Sequence, residues 1–170
     1  LWANLVIVFD GTLTGNDRIK LYANGETKVI DTYNGTIPAV LPTSSTSLKI
    51  AESFNGQVSN FAIFNSALTS SQVSTLFNFG TPETSISFNP LVWYKLDNKT
   101  TGSQSNGSLT GSSYNLTHNG TVNEVSSSVA AVPSWKITSA LTIPTVNYTT
   151  ALEFDGNDYI SVSGVTLSDD

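Results

Sequence analysis

The densest group of side chains that could do chemistry is Glu153-Phe154-Asp155-Gly156-Asn157-Asp158. Two carboxylates projecting from one strand face could serve as nucleophile and acid/base in glycosidic bond cleavage, provided their separation suits those roles. Glu153 and Asp158 are the pair that would have to act. Gly156-Asn157 places a turn where such a strand must continue, and Asp158 reaches less far than Glu. The favoured reading is therefore a structural turn in which Asp155 and Asp158 accept nearby backbone N–H groups. Asp155, Asn157 and Asp158 could also offer oxygens to calcium, which requires several oxygen ligands, carboxylates among them.

Other reactive groups are sparse. His118 is the only histidine, in Leu116-Thr117-His118-Asn119-Gly120. A Ser/His/Asp triad would have to use it. No serine stands in a nucleophile-elbow context. A strand-end histidine is the simpler reading, and a zinc centre lacks both a second histidine and any cysteine. Aromatic rings can stack on sugars. Trp2 and Trp93 adjoin predicted strands and read as core, which leaves Trp135, after Pro133-Ser134, as the candidate glycan-contacting ring.

Composition narrows the classes. Of 170 residues, 39% are hydrophobic and 12% charged, a balance that belongs to a folded chain rather than a disordered one. Solubility rests on Ser, Thr and Asn, which strands and turns accommodate better than helices do. The net charge is −6 and the seven basic residues are dispersed, so no nucleic-acid-binding face is expected. No apolar run approaches a bilayer span, and no membrane insertion is expected. There is no Cys, so disulfides do not contribute. There is also no Met, even at position 1, which reads as an internal piece of a longer or processed protein. Six Asn-X-Ser/Thr sequons, at Asn34, Asn98, Asn106, Asn115, Asn119 and Asn147, mark loops expected to be exposed.

The elements that must position these groups are mostly short strands. Leu5 to Phe9 is a β-branched apolar run closed by Asp10-Gly11, read as a buried strand. Ile19, Leu21 and Ala23 alternate before Asn24-Gly25, the strongest local hairpin signal, and the chain returns through Thr27 to Ile30. Leu48 to Ala51 is a further strand. Phe54-Asn55-Gly56 leads into Gln57 to Asn65, where Phe61 to Phe64 reads as a central strand buried on both faces. Thr69 and Gln72 form a capping-box pair for a short helix over 69–77, ended by Gly80 and Pro82. Residues 80–90 read as a linker. Leu91 to Asp97 opens a new unit, Tyr114 to Val125 reads as a strand pair turning at Asn119-Gly120, and 150–162 reads as a hairpin around Asp155 to Asp158.

Several of these stretches resemble one family. Trp2 to Asp10 and Ile19-Lys20-Leu21-Tyr22-Ala23-Asn24-Gly25-Glu26 are similar to the second half of a laminin-G-like domain. Phe54-Asn55-Gly56-Gln57-Val58 through Ile63-Phe64-Asn65-Ser66-Ala67-Leu68-Thr69 resembles that family's closing strand and helix, and pentraxins carry a similar stretch. Leu91 to Asp97 and Ala151 to Val162 resemble the first half of the same domain, and residues 98–149 carry no diagnostic motif. The resemblance implies an all-β, antiparallel jelly-roll sandwich of the concanavalin A-like class, with one short helix near 69–77, cut out of phase with the repeat. Residues 1–79 would be the C-terminal half of one sandwich, and 91–170 the N-terminal half of another. Alternatively, 1–170 would close as one permuted domain.

In functional terms the resemblance implies a noncatalytic recognition or structural module on a virion or cell surface. Tandem units of this composition resemble appendage proteins of viruses, in fibres or decorations. The expected partners are a surface glycan and other copies or neighbouring repeats. Calcium is the cofactor the family suggests, yet Ser59 and Asn60 stand where its acidic pair is usual. The alternative is a glycoside hydrolase of the laminarinase type using Glu153 and Asp158, since Glu153 to Asp158 resembles the Glu-X-Asp-X-X-Glu motif of those enzymes.

Overall fold

The computed structural model describes residues 3–42, 47–80, 85–96, 105–110, 112–128 and 147–163. It is mostly strands in small antiparallel sheets, with one short α-helix. Chain contacts divide it into two compact units, one built on the first three strands and the helix, the other on the remaining strands.

In the first unit, β1 (Leu5–Phe9), β2 (Ile19–Ala23) and β3 (Glu26–Lys28) form a sheet in the order β1-β2-β3. The β2–β3 turn is the expected Asn24-Gly25, with φ of 53° and 76°, the left-handed pair that a two-residue hairpin requires. Asn24 also ties the sheet's end: its Oδ1 accepts the Asn4 N–H at 2.9 Å. The helix α1 (Ser70–Phe77) begins at Thr69, whose hydroxyl accepts the Gln72 N–H, while the Gln72 side chain accepts the Thr69 N–H at 2.8 Å. This is the capping box read from the sequence, and such caps contribute about 1 kcal/mol. Leu68, Val73 and Phe77 are buried, and the Phe77 ring lies so close to Gly25 that a Cβ there would sit 2.9 Å from it. Left-handed Asn78 and Phe79 end the helix ahead of Gly80.

One expectation fails in this sheet. β1 is buried on one face only: Val8 is buried, whereas Leu5 and Ile7 are 68% and 73% exposed. A continuous apolar run does not by itself distinguish a strand covered on both sides from one covered on one side. After β1, Asp10 forms a turn in which Thr12 donates both its hydroxyl, at 2.6 Å, and its N–H to the Asp10 carboxylate. Those bonds hold the Asp10 pKa below its usual value.

The second unit contains β4 (Leu48–Ile50), β5 (Asn55–Val58), β6 (Phe61–Ile63), β7 (Val92–Tyr94), β8 (Thr117–Asn119), β9 (Asn123–Ser128), β10 (Asn147–Asp155) and β11 (Tyr159–Val162). They form sheets in the orders β5-β10-β9, β4-β11-β8 and β6-β7. Every one of these sheets joins a strand from the first 79 residues to strands beyond residue 90. Leu152 pairs with Val58, Ile160 with Ile50, and Ala62 with Trp93. The early and late strands therefore pair within a single chain. Their inner faces share one core of Ile50, Val92, Tyr94, Leu96, Leu116, Val122, Leu152, Phe154, Ile160 and Val162.

Three local expectations are corrected here. Among the described residues β6 pairs only with β7, and its residues are half-buried rather than buried on both faces. β8 and β9 do not pair across Asn119-Gly120, because β8 joins β11 and β9 joins β10. Likewise β10 and β11 form no hairpin ladder; the turn between them carries the chain from one sheet to another. Turn residues fix where the chain reverses, but not which strands then meet. Among the described residues no helix is long and apolar enough to cross a membrane.

Tyr94 is a titratable member of the core. It is 1% exposed, and its hydroxyl donates to the Tyr114 carbonyl at 2.7 Å. Burial, assisted by the charge of Tyr114, pushes its pKa from 10.0 to about 12. The folded state thus retains a proton that the unfolded chain loses first. Its contribution is complete below pH 10 and is lost as pH rises towards 12. Urea unfolding of the native chain should show stability falling across that window, with a shallower fall in Tyr94→Phe. Equal slopes would assign the alkaline loss to other groups.

Candidate functional site

Along β10 the residues alternate. Leu152 and Phe154 are buried in the core, while Glu153 and Asp155 point outward. The register sets Gln57 opposite Glu153 and Asn55 opposite Asp155, so the outer face of the β5–β10 pair gathers two acids and two amides. Cross-strand partners on one face are near enough to interact. Gln57 Nε2 donates to Glu153 Oε1 at 3.4 Å, and Asn55 Nδ2 donates to the Asp155 carbonyl at 3.1 Å. Thr121 and Asn123, from the segment entering β9, complete a shallow cleft of about 180 Å³ with Asn55, Glu153, Phe154 and Asp155.

The turn that follows uses its acids as the turn reading requires. Asp155 Oδ1 accepts the Asn157 N–H at 2.9 Å, closing an Asx turn. Asp158 is 2% exposed and accepts at both oxygens: Thr121 N–H at 2.7 Å on Oδ1 and Asp155 N–H at 3.3 Å on Oδ2. The carboxylate thereby joins the β8–β9 connection to the turn between β10 and β11. Gly120 makes this approach possible, because a Cβ there would collide with Asp158 Oδ1.

This geometry separates the candidate residues. Glu153 faces outward beside Gln57, whereas Asp158 is turned inward against Gly120 and Thr121. They are not two carboxylates presented on one strand face. Asp155, Asn157 and Asp158 form a turn in which Asp155 accepts one backbone N–H and Asp158 accepts two. Among the described residues no three His, Cys, Asp or Glu side chains gather as a metal-holding group. Asn60 accepts the Trp93 indole N–H at 3.2 Å. Trp93 itself is core, 5% exposed. His118 lies in β8 opposite Ile160. Trp135 and Trp2 lie outside the described residues.

The role of Thr121 and Asn123 escaped the sequence reading. Their segment reads in the sequence as the second strand of a pair turning at Asn119-Gly120, whereas its place beside β10 comes from β9 pairing with β10. The buried Ser105 was missed too. Its hydroxyl accepts the Trp93 N–H at 3.1 Å and the Gly107 N–H at 3.0 Å, inside a Gly/Ser-rich stretch that reads as loop. Comparison with family models, curated proteins and solved structures finds no match to this chain.

Proposed function

We propose that this chain is a noncatalytic recognition and structural module, displayed on a virion or cell surface as part of a fibre or decoration protein, and that it binds glycans. The observation that carries the reading is the outward cleft of Asn55, Thr121, Asn123, Glu153 and Asp155. Amides, a hydroxyl and carboxylates on one shallow surface match the alternating donors and acceptors of a sugar. The burial of Asp158 away from Glu153 supports a binding role over hydrolysis. The shared core beneath the three sheets supports reading them as a jelly-roll sandwich of the laminin-G-like, concanavalin A-like class.

A glycan array probed with the intact protein tests this reading. The expected outcome is retention of a neutral glycan, unchanged by a calcium chelator. Asn123→Ala, which removes an outward amide from the cleft, should weaken that binding about tenfold, the worth of a lost hydrogen bond to ligand. Glu153→Gln should leave any β-glucan incubation without a change in product. Failure to retain any glycan would leave only the structural role, and equal affinity of Asn123→Ala and the native chain would place glycan binding outside this cleft. Product formed by the native chain and abolished by Glu153→Gln would establish hydrolysis instead.

A further inference from the structure

Five Asn-Gly pairs occur, at Asn24, Asn34, Asn55, Asn106 and Asn119. This dipeptide has its own chemistry. The glycine nitrogen can attack the asparagine side-chain carbonyl, because no Cβ on the following residue hinders the approach. Since the successor is glycine in every case, the local sequence does not rank the five pairs. Their surroundings in the folded chain must do so.

Four of the five are held. Asn24 sits in the tight β2–β3 turn with its Oδ1 accepting the Asn4 N–H. Asn55 is in β5, in register with Asp155, and its amide donates to the Asp155 carbonyl. Asn106 donates through both its backbone N–H and its side-chain amide to the Trp93 carbonyl, while the Gly107 N–H is engaged by Ser105. Asn119 is in β8, and its amide donates to the Thr117 carbonyl and to the Ser161 hydroxyl. In each, cyclisation requires breaking native hydrogen bonds first.

Asn34 differs on every count. Both Asn34 and Gly35 are exposed, and they lie in no strand or helix. Gly35 has a φ of +101°, and a Cβ placed on it would meet nothing within 4 Å. The pair lies between two anchors, the end of β3 at Lys28 and the Ile37 carbonyl, which accepts from Arg18 Nη1 at 2.8 Å. The intervening loop has room to rearrange without disturbing the sheet.

We propose that Asn34 is a self-modifying site, deamidating in the folded protein ahead of every other Asn-Gly pair. The Gly35 backbone nitrogen attacks Asn34 Cγ. A Cγ–N bond forms, the Cγ–Nδ2 bond breaks, and the amide group leaves as ammonia with the glycine N–H proton. Water then opens the resulting succinimide at either carbonyl, giving aspartate or isoaspartate. Either product adds a negative charge to a chain whose formal net charge is −6, and isoaspartate also reroutes the backbone through the side-chain carbon.

The test is incubation of the intact chain in mildly alkaline buffer, native and in urea, followed by peptide mapping with separation of aspartate from isoaspartate. In the native chain Asn34 should convert at least about tenfold faster than any of the other four, since those sites must open locally before reacting. In urea the five rates should converge to within a few-fold. Conversion of another pair as fast as Asn34 in the native chain would overturn the proposal. So would an Asn34 that stays intact while the urea-treated chain reacts, or aspartate formed there without isoaspartate.

Discussion

Phe154→Ala is expected to destabilise the second unit by roughly 3–5 kcal/mol, the usual cost of truncating a fully buried aromatic. Phe154 is 0% exposed and lies in the shared core with Ile50, Leu152, Ile160 and Val162. Its register partner is Gly56, which has no side chain with which to fill a void. The space a Cβ on Gly56 would enter is already taken by the Phe54 ring, at 2.8 Å. Domains of ordinary stability have about 5–15 kcal/mol in total, so the loss is a large share of it. Urea unfolding followed by tryptophan fluorescence measures the shift, and an unchanged m-value would attribute it to the folded state. A loss below about 1 kcal/mol would mean that β10 does not sit on this core.

The extent to which these features were legible follows from the range over which each is determined. The capping box at Thr69 and Gln72 and the Asn24-Gly25 turn depend on neighbours within four residues, and both stand as read. The Asx turn at Asp155 is equally local. Strand pairing is different. Asn119-Gly120 and Gly156-Asn157 announce reversals, but the strands on either side of each go to separate sheets. Those destinations depend on contacts such as Glu153 with Gln57, across nearly a hundred residues, and periodicity carries no trace of them. Burial of charge was hidden for the same reason. Asp155 and Asp158 are chemically identical and three positions apart, yet one is exposed and the other buried, because the Thr121 N–H donates to the second and Gly120 packs directly against it. The candidate cleft was thus half-readable: Glu153 and Asp155 were conspicuous as acids, whereas Thr121 and Asn123 enter it only through the pairing of β9 with β10.

Gly120→Ala should cost roughly 3 kcal/mol, far more than a surface turn substitution. Two effects combine. At φ of +87° any L-residue is strained, by about 1–2 kcal/mol. The new methyl would also enter the space of the Asp158 carboxylate, lying 3.0 Å from its Cγ and 3.2 Å from its Cα as well as colliding with Oδ1. Asp158 has little freedom to yield, being buried and bonded to Thr121 and Asp155 N–H groups. Moving it forfeits a hydrogen bond to a charged acceptor, worth roughly 1.5–3 kcal/mol. Gly35→Ala separates the two effects, because Gly35 also has a positive φ, +101°, but open space around it. It should cost only the conformational part, about 1–2 kcal/mol. Asp158→Ala should be costly alone, about 2–4 kcal/mol, by leaving buried N–H donors without their acceptor. It also removes the atoms that the Gly120→Ala methyl strikes. The double variant should therefore lose less than the sum of the two single losses, by about 1 kcal/mol or more. Chemical unfolding of the four variants supplies every term. Strict additivity, or equal losses for Gly120→Ala and Gly35→Ala, would show that Asp158 does not lock the β8–β9 connection to the turn before β11.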